Sequence, residues 1–156
     1  MSSSIDYNYI IQRIPEETIS ALMTDSVFSD IDEEVIQEFI SDADAIVDNA
    51  MSLRYIYPYE FTDEILGEKA FKMLRRWKFA LVRQMMYARK YDDEEMKEIN
   101  RQHKDVMTKL ERLQKGEIEV AGLAMKHYSP KNLIFSKKNE QVFTNDRLTA
   151  YDNRTA

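Results

Sequence analysis

His103 and His127, the aspartates Asp42, Asp44 and Asp48, and the serines are the side chains of this sequence that could carry catalysis or hold a metal. With no cysteine, thiolate metal sites, disulfides and thiol nucleophiles are all excluded. A di-iron bundle needs Glu-x-x-His pairs, but the residues three before the histidines are Asn100 and Ala124. His103 falls among apolar residues at helical spacing, where a packed or boundary histidine is the expectation. Asp42, Asp44 and Asp48 crowd one helix and could contribute to a hard-cation site. A solvated or interface-facing acidic flank is the simpler expectation for them. No serine stands in an elbow-like setting, and three glycines are too few for a phosphate-cradling loop. These absences disfavour an enzyme, and no cofactor and no metal is expected.

Surfaces that bind are better represented. In "AIVDNAMSLRYIYPYEF", residues 45–61, a helical pattern gives way to Arg54, Tyr55, Tyr57, Tyr59 and Phe61 around Pro58. Tyrosine is large, stiff and able to hydrogen-bond at a wet rim, so Tyr55, Tyr57 and Tyr59 are candidate contact residues as well as an elbow between helices. Charge is segregated along the chain. Residues 1–68 carry a net −14, residues 69–91 carry +8 with no acid at all, and residues 92–156 are neutral, giving −6 overall. An acidic surface is thereby available to meet a basic one, within the chain or between subunits, with Arg75 and Arg76 as candidate contacts. Eight cations between 69 and 90 also raise nucleic acid as a partner. Trp77 and an apolar stripe commit one side of that segment to a core, however, and the upstream acids oppose DNA, so sequence-specific recognition is disfavoured.

The elements that would position these residues are helical. Glycine and proline number three each, which argues against hairpin-rich β structure. Residues 7–23 read as two short helices divided at Pro15, with Glu16 and Glu17 favoured in the first turn of the second. A helix follows from about Asp32 to Arg54, with Val35, Ile36, Phe39, Ile40, Ala43, Ile46, Val47, Ala50 and Leu53 on its apolar side. Pro58 stops it. Thr62 or Asp63 caps a long third helix through about Tyr91, with Leu66, Ala70, Leu74, Trp77, Leu81, Met85 and Ala88 buried. Asp92, with Glu95 as the reciprocal acid, opens a fourth helix that Gly116 ends. Its seam is Met96, Ile99, His103, Val106, Leu110 and Leu113.

The expected fold is all-α: a compact bundle of about four helices with a long central helix, comprising residues 1–122, and an extended, mostly irregular C-terminal arm, residues 123–156. The arm lacks helical period yet keeps apolar clusters, with Phe135, Phe143, Leu148 and Tyr151 as candidate contacts to another molecule. No run approaches the roughly 20 apolar residues of a membrane span, and the N-terminus does not look like a signal peptide, so assembly in a reducing cytoplasm is expected.

The order of "YNYIIQRIPEETISALMTD", "IDEEVIQEFISDADAIVDNAMSLRY", a following proline, a long helix and "LERLQKGEIEV" resembles the small neck proteins of tailed bacteriophages. These are head-to-tail adaptor (connector or head-completion) proteins, and the likeness is to the Mu-like prophage branch. It spans roughly 7–122, with a weaker echo at 142–151 in "VFTNDRLTAY". Tyr57 departs from it, since an aliphatic residue usually precedes the proline. The resemblance implies a structural virion protein forming a ring, typically twelvefold, beneath the portal protein. Such a ring prolongs the channel for double-stranded DNA and hands over to a neck, stopper or tail-completion protein. The residues themselves leave two alternatives open: a host helical interaction or regulatory module, binding a protein partner or nucleic acid, and, more weakly supported, a four-helix cofactor or metal enzyme.

Overall fold

The computed structural model describes residues 5–24, 33–92, 94 and 96–126. The chain divides into two units, Met1–Met125 and Lys126–Ala156. Apart from Lys126, the second lies outside the described residues, and with it the candidate contacts Phe135, Phe143, Leu148 and Tyr151.

The described residues of the first unit form five helices: α1 (Tyr7–Ile11), α2 (Glu16–Met23), α3 (Glu33–Ser52), α4 (Glu64–Tyr87) and α5 (Lys97–Lys115). The fold is all-α, as the sparse glycines and the apolar spacing indicate. Helix α1 starts at Asp6, whose carboxylate accepts the Tyr9 N–H at 2.8 Å. Pro15 precedes α2 and parts it from α1. Asp63 caps α4 by accepting the Leu66 N–H at 2.8 Å. Gly116 ends α5 in the left-handed conformation at φ 79°, where a side chain would be strained.

Helices α3, α4 and α5 pack pairwise and build the core, with α1 against α3 and α2 against α4. Ile36, Ile40, Ala43, Val47, Ala50 and Met51 line the inner face of α3. Val106, Leu110 and Leu113 close the core from α5, and Ile99 is buried on the same face. His103, expected in that seam, is half-buried.

Three features depart from the sequence expectation. Leu53, expected on the apolar side of α3, lies just past the end of that helix at Ser52 and is exposed. Asp92 does not cap α5. Its carboxylate accepts the Glu94 N–H two residues on, a local turn that competes with helix, and α5 begins at Lys97. The buried stripe of α4 is also wider than expected. Ala70, Leu74, Trp77 and Leu81 are buried as the spacing indicates, and Phe71, Lys78, Val82 and Met86 join them, whereas Leu66 and Ala88 are exposed and Met85 is half-buried. The stripe widens because α4 packs against α3 on one side and α5 on the other.

After α5 the chain folds back as a strap. Residues 122–125 pair antiparallel with residues 55–62: Ala124 N–H donates to Glu60 at 2.8 Å, Ile56 N–H to Ala124 at 3.0 Å, and Thr62 N–H to Gly122 at 3.0 Å. Val120 and Leu123 are buried by it. Gly122, at φ 89°, lies so close to α4 that an added Cβ would sit 2.4 Å from the Gly67 nitrogen. Gly122→Ala should therefore destabilise the unit by about 2 kcal/mol, combining left-handed strain with backbone overlap. Hydrogen exchange should rise first at the Val120 and Ala124 amides; unchanged protection there would show that the strap is held elsewhere.

Candidate functional site

The α3–α4 elbow gathers the aromatic residues that the sequence singles out, and it treats them differently. Tyr55 is fully buried, and its hydroxyl accepts the Val120 N–H at 2.6 Å. The expectation of Tyr55 as a contact residue is therefore corrected: it is a core side chain tying the elbow to the strap. Tyr57, before a cis peptide bond to Pro58, is 60% exposed and meets Tyr59 edge-to-face at 5.3 Å. Tyr59 is half-buried, and Phe71 lies 6.0 Å from its ring. Phe61 stacks edge-on against Phe71 at 4.8 Å and covers Gly67, which has no room for a Cβ.

Behind the elbow stands a cluster that the sequence does not advertise. Lys78 is completely buried, yet its ammonium lies 2.9 Å from Asp44 and 3.1 Å from Asp48. The Tyr59 hydroxyl donates to the same Asp48 oxygen at 2.8 Å. Both carboxylates remain about a quarter exposed, at 24% and 22%. Two aspartates one helical turn apart thus receive an ammonium and a phenol from within the chain, where the sequence left a hard cation as one option. Asp42, the third member of that group, is exposed. Sequence reasoning missed Lys78 because lysine reads as solvent. The available signal was its place one turn from both Leu74 and Val82 on the apolar side of α4.

Burial and the hydrogen bond to Asp48 raise the Tyr59 pKa far above the ordinary tyrosine value. The folded state therefore holds the phenolic proton more tightly than the unfolded chain does. The stabilisation is complete below about pH 10, the unfolded value, and is lost as pH rises beyond it. Tyr59→Phe should cost about 1–2 kcal/mol at neutral pH, less than a fully buried bond to a charge would. It should also flatten the alkaline limb of the stability curve, as urea melts between pH 8 and 11 would record. An equally steep limb in the variant would remove Tyr59 from that role.

Arg75 is half-buried on α4, and Arg76 is exposed on the outer face of the helix. Among the described residues, large exposed apolar side chains concentrate near the elbow: Leu53, Tyr57, Phe61, Ile65 (69% exposed) and Leu66, with Met125 bridged to Tyr55 beside them. Apolar surface of this density is uncommon on a face that meets only water. No described group of acidic and histidine side chains has the arrangement of a metal site, and no described helix is long and apolar enough to cross a membrane. Chemically, the elbow offers adhesion: a rigid aromatic platform, anchored from below by Lys78 and from the side by the strap.

A family model described as Bacteriophage Mu, Gp36 matches residues 5–132. No curated protein and no solved structure matches the chain.

Proposed function

The chain belongs to the Bacteriophage Mu, Gp36 family, and from that membership we propose a structural, non-catalytic role in the virion. It forms an oligomeric ring, twelvefold in the simplest case, at the portal vertex, joins head to neck or tail, and extends the channel for DNA. Its partners are further copies of itself, the portal protein, and a stopper or tail-completion protein below. Double-stranded DNA passes without sequence-specific contact, and no membrane takes part. Assembly takes place in the bacterial cytoplasm, and the finished protein resides in the virion.

The exposed apolar elbow is the observation that most supports this role. A subunit that binds above and below needs a stiff surface that does not repack on contact, because ordering a loose one would consume binding energy. Here the platform is fixed by the Tyr55–Val120 bond and by the Lys78 cluster. Tyr57 lies on this surface, and Tyr59 is half-buried beside it.

The test is complementation in a phage from which the gene has been removed. Wild-type protein should restore tailed particles. A Tyr57→Ser, Ile65→Asp variant should fold with an unchanged circular dichroism spectrum and fail to restore them, leaving DNA-filled heads beside unjoined tails. Normal tail joining by that variant would take the elbow out of assembly.

A further inference from the structure

The outer faces of α3 and α4 carry opposite charge in rows of similar length. On α3, Glu34, Glu38 and Asp42 recur every four residues, all exposed. On α4, Lys69, Lys72 and Arg76 recur at three and four residues, also exposed. The rows extend over ~12 Å and ~10 Å respectively at the helical rise of 1.5 Å per residue. None of these six side chains makes an ion pair within the described residues; Glu68, one turn before Lys72, makes none with it either.

Helix α5 shows the contrast. Most of its charges are neutralised along its own surface, by Glu98 with Arg101, Asp105 with Lys109 and Glu111 with Lys115. The α3 and α4 rows cannot do this, because each is of one sign, and like charges one turn apart repel. A surface that keeps two unneutralised rows of opposite sign gains from meeting its complement.

The rows cannot meet within one subunit. Lys78 bridges to Asp44 and Asp48, which sets the antiparallel register of the two helices. In that register the centres of the rows stand ~20 Å apart along the axes. Both rows lie opposite the buried stripes of their helices. Because α3, α4 and α5 each pack against the other two, these outward faces diverge by roughly a third of a turn. A second copy that lays its α3 row on this α4 row leaves its own α4 row open for a third. That is a heterologous contact, which propagates head-to-tail and closes into a ring when the rotation permits.

We propose that Glu34, Glu38 and Asp42 of one subunit dock against Lys69, Lys72 and Arg76 of the next, forming the repeating contact of the assembly. This deepens the ring role given above and rests on it for its biological setting, but the contact can be tested separately.

The chain has no cysteine, so introduced thiols report only on themselves. Glu38→Cys and Lys72→Cys proteins, mixed and oxidised, should give the 38–72 heterodimer in excess over either homodimer. The double variant E38C/K72C should give a ladder of covalent multimers that fades as salt rises, since exposed charges are screened within about 8–10 Å at physiological ionic strength. The same oxidation is carried out on purified particles. In the E38C/K72C protein, reversing the rest of one row (E34K/D42K, or K69E/R76E) should abolish the ladder, and mixing the two reversed proteins should restore it, because the all-positive subunit then meets the all-negative one at every α3–α4 contact. Reversing both rows in one chain should restore it. A ladder in either setting upholds the contact, even if the protein is found away from portal vertices and the ring role fails. No ladder in purified protein and none in particles, whether or not those particles contain the chain, overturns it, as would equal yields of all three dimers.

Discussion

Replacing Trp77 with alanine should cost about 3–5 kcal/mol, the range for truncating a buried tryptophan. Trp77 is 7% exposed and lies on the side of α4 that faces Val106 and Gln102 of α5. Met73 and Ala80 flank it on the same helix, and α5 is held by its own buried row. A domain of ordinary stability has only about 5–15 kcal/mol in total, so the variant should be close to unfolding at physiological temperature. Differential scanning calorimetry should record a fall in Tm of about 10–20 °C. A melt unchanged by the substitution would mean that α4 and α5 are not locked through this side chain.

Lys78→Met should cost about 3 kcal/mol, through a different mechanism. Methionine fills nearly the same volume, so little cavity is left; the damage is electrostatic. Asp44 and Asp48 would stand one turn apart without their shared cation, and Asp48 would be left with the Tyr59 hydroxyl alone. Removing one partner of a buried ion pair costs more than the pair contributes, because the remaining charge is uncompensated. Both carboxylates keep some contact with water, which places the expected value at the lower end of the usual range. The triple variant K78M/D44N/D48N should recover most of the loss, since neutral amides do not repel and can hydrogen-bond. Guanidinium melts of the three proteins measure this directly. If K78M alone melts like the wild type, the cluster contributes nothing to holding α3 against α4.

Much of the helical framework can be read from the chain because local signals agree there. Pro15, Asp63 and Gly116 act within one turn of themselves, and the observed boundaries fall beside them. The α3 stripe is legible for the same reason: its buried residues Ile36, Ile40, Ala43, Val47 and Ala50 follow one helical period on one face. Lys78 is not, because its burial depends on two aspartates on another helix, and nothing adjacent in sequence marks the pairing. The strap is not, because 122–125 acquires its order from residues 55–62, sixty to seventy positions away, and short paired segments leave no helical period. The start of α5 is lost to a competition of small energies, in which Asp92 satisfies the Glu94 N–H before a helix can begin. At the elbow, the sequence identifies the tyrosines but not their division of labour. Tyr55 turns inward to Val120, and Tyr57, two residues later, remains on the surface.

Imaging of the portal vertex tests the proposed role most directly. Particles from the wild-type phage and from a phage lacking this gene would be compared by cryo-electron microscopy, averaged about the vertex. The expected result is a ring of helical density beneath the portal in the wild type, into which residues 5–125 fit with the α4 row of each subunit facing the α3 row of the next. In the deletion, the ring should be gone and the heads left without tails. An unchanged vertex with tails attached in the absence of this chain would contradict a structural role at the head–tail junction.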